Sequence, residues 1–159
     1  MSAGLEALVA ELMEQPDAWE HLVAHDPGQR RYELLRRDDE VEVWLICWMH
    51  DHDTGFHDHD LSSGAVGVVA GAVREDRLAL GGGTVSREVA EGATFTFSAA
   101  DIHRVMHAGD APAVTIHAYA PPLWRMGAYE VLESGELRRH SVSYAEELRP
   151  LTAGAPSAS

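Results

Sequence analysis

The chain has 159 residues, of which 45% are hydrophobic and 24% charged, ordinary values for a single globular domain. Its formal net charge of -14 repels the phosphates of nucleic acids and anionic membrane surfaces, so we expect neither as a partner. No apolar run reaches the ~20 residues needed to cross a bilayer, and the start does not resemble a signal peptide, so we predict a cytoplasmic protein.

The beginning of the chain predicts helices, and the remainder predicts strands. Apolar residues recur at helical spacing between Ser2 and Pro16, and Asp17 can begin a second helix, so we expect one or two short helices within a helical segment over 2–24. From about Tyr32 onward, short apolar or alternating runs are separated by Gly, Asp and Pro. These runs cover 41–49, 64–73, 77–80, 84–90, 93–97, 112–120 and 124–132. We therefore predict one all-β domain over 1–149, with a barrel at about 30–140 and a disordered tail at 150–159.

Histidines form the main chemical signal in the sequence. The tetrad His-Asp-His-Asp occurs twice between His50 and Asp60. In an extended strand, residues two apart point to the same face about 6.6 Å apart, so either histidine pair could bind one metal ion. The spacing of the glycines after His57 and His59 favours that pair, and we predict that His50 and His52 lie outside the metal site.

The spacing after His57 and His59 resembles the first sequence motif of cupin barrels. In that motif, His-x-His is followed by a glutamate and then by a glycine; here Gly64 holds the glutamate position and Gly71 comes after it. The resemblance implies a cupin fold, a double-stranded β-helix or jelly roll.

A second cupin motif places the third metal ligand. Gly92, Ser98 and His103 keep its spacing, although Ser98 and Ala100 replace the usual Pro and Gly. The resemblance implies that His103 completes the ligand set.

The strand predicted over 113–120 carries a polar face. Thr115, His117 and Tyr119 alternate along it, so all three project to one side, which in a barrel can face the cavity. Such a row can act as a relay in which each group orients the next. Three neutral imidazoles leave a divalent ion its full charge and open positions for a thiolate and O2, although ligand type alone also permits zinc.

Four segments together resemble the cysteine dioxygenase family of thiol dioxygenases, over roughly 30–130. They are Trp44-Leu-Ile-Cys-Trp48, Thr54-Gly-Phe-His57-Asp-His59, His103-Arg-Val105 and Thr115-Ile-His117-Ala-Tyr119-Ala-Pro-Pro-Leu123. The resemblance implies one non-haem Fe(II) per chain on the three histidines, and a hydroxyl, histidine and tyrosine relay at Thr115, His117 and Tyr119. It also implies an enzyme that adds O2 to a small-molecule thiol to give a sulfinate. Separately, we expect a monomer or small homo-oligomer.

The chain departs from this family at two positions. Mammalian members crosslink a cysteine to the relay tyrosine, and Gly64 stands at that cysteine's position, so no crosslink is expected. Cysteine-specific members carry Tyr-x-Arg ahead of the Cys-Trp segment, and aligning Tyr32 with that tyrosine places Leu34 where the arginine should be. Tyr32, Arg31 and Arg125 are the remaining candidate substrate-binding residues, and we expect free cysteine to be a poor substrate.

Two other functions fit the same residues. One is a cupin metalloenzyme of different chemistry, such as a carbon-cleaving dioxygenase or an isomerase, in which the relay only lines the cavity. The other is a non-catalytic metal-binding cupin, which would bind metal without consuming oxygen.

Overall fold

The computed structural model describes residues 2–143, in which one helix precedes eleven strands. Helix α1 spans Ser2–Met13, and two 3-10 turns follow at Pro16–Ala18 and Glu20–Leu22. The strands are β1 (Arg31–Arg37), β2 (Glu42–Trp48), β3 (His57–Asp58), β4 (Ser63–Ala70), β5 (Ala72–Leu78), β6 (Thr84–Ala90), β7 (Thr94–Phe97), β8 (His103–Ala108), β9 (Ala113–Ala120), β10 (Arg125–Val131) and β11 (Leu137–Ser143). The tail predicted at 150–159 lies outside the described residues.

The strands form two antiparallel sheets that pack face to face. The first has the order β1-β2-β9-β4-β7, and the second has the order β11-β10-β3-β8-β5-β6. One apolar core joins them, with Trp48 and Val66 from the first sheet and Val105 and Met126 from the second. This arrangement confirms the predicted all-β cupin barrel.

Helix α1 covers the outer face of the first sheet. A second apolar core contains Leu5 and Val9 of the helix together with Leu45 and Ile116 of the strands. Strand β9 is therefore buried on both faces, because its apolar residues point to the helix while Thr115 and its alternate neighbours point between the sheets. No helix within residues 2–143 is long and apolar enough to cross a membrane.

The single α-helix ahead of the strands agrees with the one or two short helices predicted, and the second helical region is the two 3-10 turns, of which Leu22 packs partly buried against the core under α1. One prediction about the strands is wrong. The run over 64–73 is divided at Gly71, and the run predicted at 77–80 is the end of β5. Gly71 has φ +68°, and a Cβ there would stand 2.6 Å from the Pro112 carbonyl oxygen, so this corner requires glycine.

Candidate metal centre

Three histidines from neighbouring elements of the second sheet converge between the sheets. His57 belongs to β3 and lies opposite His103, the first residue of β8, while His59 follows β3 directly. One ring nitrogen from each lies within 4.8 Å of the others, and each residue is at most 4% exposed. His50 and His52 do not belong to this cluster. The geometry suits one metal ion bound on one side by three imidazoles, with its other positions open.

Burial keeps the His57 and His59 imidazoles neutral at physiological pH. Burial, and then the neighbouring His103, hold the pKa of His57 well below its usual value. Burial, followed by the neighbouring His57 and His103, has the same effect on the pKa of His59. A neutral imidazole has a lone pair available for a metal, so the protonation states fit metal binding.

The outward nitrogens of the cluster have different partners. His57 Nδ1 lies 2.9 Å from the Gly55 carbonyl oxygen, and His103 Nδ1 lies 2.7 Å from Glu75 Oε2. Both partners are acceptors, so each Nδ1 carries the proton and each Nε2 lone pair remains for the cavity. His59 Nδ1 has no hydrogen-bond partner among the described residues. The lone pairs of His57 and His103 that face the cavity fit a cation.

The carboxylate of Glu75 is a functional group that the sequence analysis missed. It is 2% exposed and accepts hydrogen bonds from His103, Arg77 (2.9 Å) and Arg87 (3.0 Å). Burial alone would raise the pKa of Glu75, but the bonds from His103 and Arg77 outweigh it and lower the pKa to about 2. An ionised carboxylate on the outer nitrogen of a ligand histidine orients the ring and makes it a stronger base.

The predicted relay residues are hydrogen-bonded in sequence along β9. Thr115 Oγ1 lies 2.7 Å from His117 Nε2, and His117 Nδ1 lies 3.3 Å from the Tyr119 hydroxyl. The Trp48 indole N–H donates to Thr115 Oγ1 at 2.8 Å, so a further residue extends the row. Burial, followed by the neighbouring His103 and the charge of Arg30, lowers the pKa of His117 to about 3, so this ring carries a single proton.

The ligand histidines and relay residues line one small cavity. Its other lining residues are Arg30, Ile46, Thr54, Phe97, Val105 and Met126. The free volume is ≈ 20 Å³, close to what one water molecule needs.

Arg30 is the cation of this cavity, and the sequence analysis did not identify it. Arg30 is 5% exposed, and its guanidinium lies 5.4 Å from the centre of the Trp48 ring. It also borders a surface hollow lined by Gln29, Arg31 and Tyr32, so it stands between the cavity and solvent. Arg30 lies just before β1 and outside any periodic run. The Tyr-x-Arg spacing that begins at Tyr32 points forward along the chain to Leu34, so it does not indicate Arg30.

The three predicted substrate residues lie elsewhere. Arg31 is exposed, and Tyr32 packs edge-on against Trp44 at 5.9 Å. Arg125 is exposed beside Trp124 and borders a separate hollow behind His59. None of them lines the metal cavity.

Leu34 is also outside the metal cavity. Its side chain is 44% exposed and is not among the lining residues. An arginine at this position would not face the histidines. The predicted loss of a carboxylate partner at Leu34 therefore no longer argues against cysteine as a substrate.

His52 has a structural role next to the site. Its Nδ1 accepts the Met49 backbone N–H at 2.9 Å, and its Nε2 lies 3.2 Å from the Pro27 carbonyl oxygen. It thereby ties the end of β2 to the segment that precedes Arg30. The His50 side chain is 86% exposed.

The chain matches one known protein family over most of its length. A family model described as cysteine dioxygenase type I matches residues 4–131. The chain belongs to the cysteine dioxygenase type I family. Membership implies a metal-dependent cupin dioxygenase, and the cluster of three histidines is where its metal can bind.

Solved structures agree on the fold. TT1209 from Thermus thermophilus is 16% identical with a TM-score of 0.58, covering 65% of this chain and 93% of that one. An uncharacterised protein from Klebsiella pneumoniae with a double-stranded β-helix domain is 15% identical with a TM-score of 0.57, covering 64% and 80%. An oxalate oxidase is 16% identical with a TM-score of 0.53, covering 62% and 55%. A search of curated proteins finds no match.

An aromatic ring fills the space beside Gly64, the residue at the crosslinking position of some members of this family. Gly64 lies opposite Tyr119 in the β4–β9 pairing. A Cβ on Gly64 would stand 2.6 Å from Phe97 Cε2. The Phe97 ring stacks on His59 with centroids 4.2 Å apart and planes at 24°. Phe97 therefore fills the space that a larger residue at 64 would need, and it packs against the one ligand whose Nδ1 has no acceptor among the described residues.

Proposed function

We propose that the protein is a non-haem Fe(II) thiol dioxygenase whose substrate is a small thiol that carries a carboxylate. The observation that supports this most is the buried guanidinium of Arg30, which lines the same small cavity as the three histidines and Tyr119. A carboxylate that enters a buried cavity needs a charge-assisted partner, because an unpaired buried anion costs several kcal/mol. A substrate held at Arg30 by its carboxylate would direct its sulfur toward the imidazoles.

The proposed reaction converts a thiol and O2 into a sulfinic acid. The S–H bond breaks and its proton leaves, both oxygen atoms of O2 become bonded to sulfur, and the sulfur is oxidised as O2 is reduced. An Fe(II) ion on His57, His59 and His103 would supply the redox chemistry with O2, which no amino-acid side chain supplies.

The relay controls one proton on the cavity wall. If Thr115 donates its hydroxyl proton to His117 Nε2, then the imidazole proton is on Nδ1 and is donated to the Tyr119 oxygen. The Tyr119 O–H is then directed into the cavity, where it can donate a hydrogen bond to bound thiolate or oxygen. The Trp48 N–H fixes Thr115 by donating to its oxygen.

The test is oxygen uptake by the Fe(II)-loaded protein with cysteine, 3-mercaptopropionate and cysteamine. We expect turnover with at least one of the two carboxylate-bearing thiols and weak turnover with cysteamine, which has no carboxylate. Arg30→Gln should lower kcat/KM for the preferred thiol by about 30-fold or more, corresponding to roughly 2 kcal/mol for one partner of a buried charge pair. Arg36→Gln, an exposed arginine on β1, is the matched control and should retain full activity.

Three results would contradict parts of the proposal. A preference for cysteamine would show that Arg30 does not bind a carboxylate. A loss of activity in Arg125→Gln with full activity in Arg30→Gln would move the carboxylate partner to Arg125. Oxygen uptake with carbon acids but with none of the thiols would replace thiol oxidation with carbon cleavage.

A further inference from the structure

The aspartate between two of the ligands has an unusually complete set of hydrogen bonds. Strand β3 consists only of His57 and Asp58, and the alternation of a strand directs Asp58 away from the cavity that the imidazoles face. Its side chain is 11% exposed. Backbone N–H groups of Gly127 (3.2 Å) and Asp60 (3.0 Å) donate to its Oδ1. The Tyr129 hydroxyl donates to its Oδ2 at 2.6 Å.

Arg139 completes this set with a two-pronged contact from β11. Its Nε donates to Asp58 Oδ2 at 2.9 Å, and its Nη2 donates to Asp58 Oδ1 at 3.0 Å. A planar guanidinium that binds both oxygens of a carboxylate fixes the orientation as well as the position of its partner, which a lysine cannot do. Strand β10 lies between β3 and β11, so this contact reaches across β10 and ties the short ligand-bearing strand β3 directly to β11.

Gly127 leaves room for this contact. A Cβ on Gly127 would lie 2.7 Å from both Arg139 Cζ and Asp58 Oδ2. Both contacts are shorter than any that real Cβ atoms make, so a side chain here would displace the guanidinium. The guanidinium of Arg139 can therefore reach Asp58 across β10 only because residue 127 has no side chain.

The strand that supplies Arg139 lies beyond the region shared with the family. The family match ends at residue 131, whereas β11 spans Leu137–Ser143. Asp58 and Tyr129 lie within the matched region. Arg139 therefore lies outside the matched region, whereas the three metal ligands lie inside it.

We propose that Arg139 is a positioning residue for the metal centre, which fixes Asp58 and thereby the spacing of His57 and His59. Two of the three ligands depend on a two-residue strand, which has few backbone hydrogen bonds of its own to hold it. Groups that orient metal ligands from behind contribute 10- to 100-fold to metal affinity in other proteins. A similar contact holds the start of the ligand segment, where Arg104 binds both oxygens of Asp53.

The test compares metal binding by Arg139→Gln, Arg139→Lys and the control Arg138→Gln. Arg138 is the exposed neighbour on β11, and Asp58 accepts no hydrogen bond from it. Co(II) affinity is measured by competition with a chelator, and the Co(II) absorption bands report ligand geometry. We expect the dissociation constant to rise about 10- to 100-fold in Arg139→Gln with altered bands, to rise less in Arg139→Lys, and to stay within about twofold in Arg138→Gln.

Wild-type affinity and unchanged Co(II) bands in Arg139→Gln would overturn the inference, whatever happens to the thermal stability of the metal-free protein. If Arg139→Gln does not fold, Gly127→Ala and Tyr129→Phe act on the same contact by displacing the guanidinium or removing one hydroxyl. Wild-type Co(II) affinity in both would also overturn it. The inference rests on the metal site and not on the thiol chemistry. A protein that binds Co(II) in this pattern but oxidises no thiol would overturn only the proposed function.

Discussion

A methyl group added at Gly64 tests the packing around the metal ligands. The backbone of Gly64 does not adopt a positive φ, so from the backbone alone Gly64→Ala should stabilise the protein by about 0.4–1 kcal/mol through the unfolded state. The packing around Gly64 predicts instead that Gly64→Ala destabilises the protein. The added Cβ would stand 2.6 Å from Phe97 Cε2 and 2.9 Å from Cε1, and the ring is only 2% exposed.

Overpacking of this kind costs about 1–3 kcal/mol, which is at least as large as the backbone gain and leaves a net loss of up to about 2.6 kcal/mol. For a domain of this size, this net loss corresponds to a fall in Tm of up to roughly 10 °C. Phe97→Leu removes the ring atoms that collide, so adding Gly64→Ala to that variant should cost little. The two substitutions together should therefore be more stable than the sum of their separate effects by at least ~1 kcal/mol.

Urea unfolding of the metal-free protein measures these differences for the two single variants and the double variant. Gly4→Ala on helix α1, where a Cβ meets nothing within 4 Å, is the control and should stabilise the protein by up to ~1 kcal/mol. Additive effects, or a Gly64→Ala variant more stable than the wild type, would refute the assigned position of the Phe97 ring against Gly64.

Three further substitutions test the groups around the cavity. Glu75→Gln should weaken Co(II) binding about 10- to 100-fold, because an amide is a poorer acceptor for the ligand ring, and unchanged affinity would show that Glu75 only pairs with arginines. The Tyr119→Phe variant should bind iron as the wild type does, while its oxygen uptake falls by about 10²- to 10⁴-fold. Full activity in this variant would show that the relay residues only line the cavity. Replacing His50 and His52 together by alanine should preserve metal stoichiometry in metal analysis, whereas His57→Ala should abolish it; the reverse pattern would move the site to the first tetrad.

Local spacing in the sequence is sufficient to predict the groups that act together on one strand or motif. The alternation of Thr115, His117 and Tyr119 predicts their common face, because the side chains of a strand alternate wherever the strand lies. The spacing of His57 and His59 likewise predicts a pair that meets His103 in the cluster of three. These inferences need only the geometry of an extended chain and one motif.

Groups positioned by distant partners are not visible in local patterns. Glu75 stands in the charged stretch Arg74–Arg77, which is typical of a solvated surface, yet it is buried because Arg87 and His103 reach it across the sheet. For the same reason, the charged residues of β5 were not predicted to form a strand. The burial and pairing of Asp58 are equally difficult to predict from local sequence, because its main partner Arg139 is 81 residues away.

The most direct test of the proposed function is the fate of isotopically labelled O2 during turnover. The Fe(II)-loaded protein is supplied with labelled O2 and the thiol that gives the highest oxygen uptake, and the product is analysed by mass spectrometry. We predict a sulfinate in which both oxygen atoms carry the label, formed much more slowly by Arg30→Gln and not formed by His103→Ala. A disulfide, or a product with unlabelled oxygen from water, would contradict thiol dioxygenation at this site.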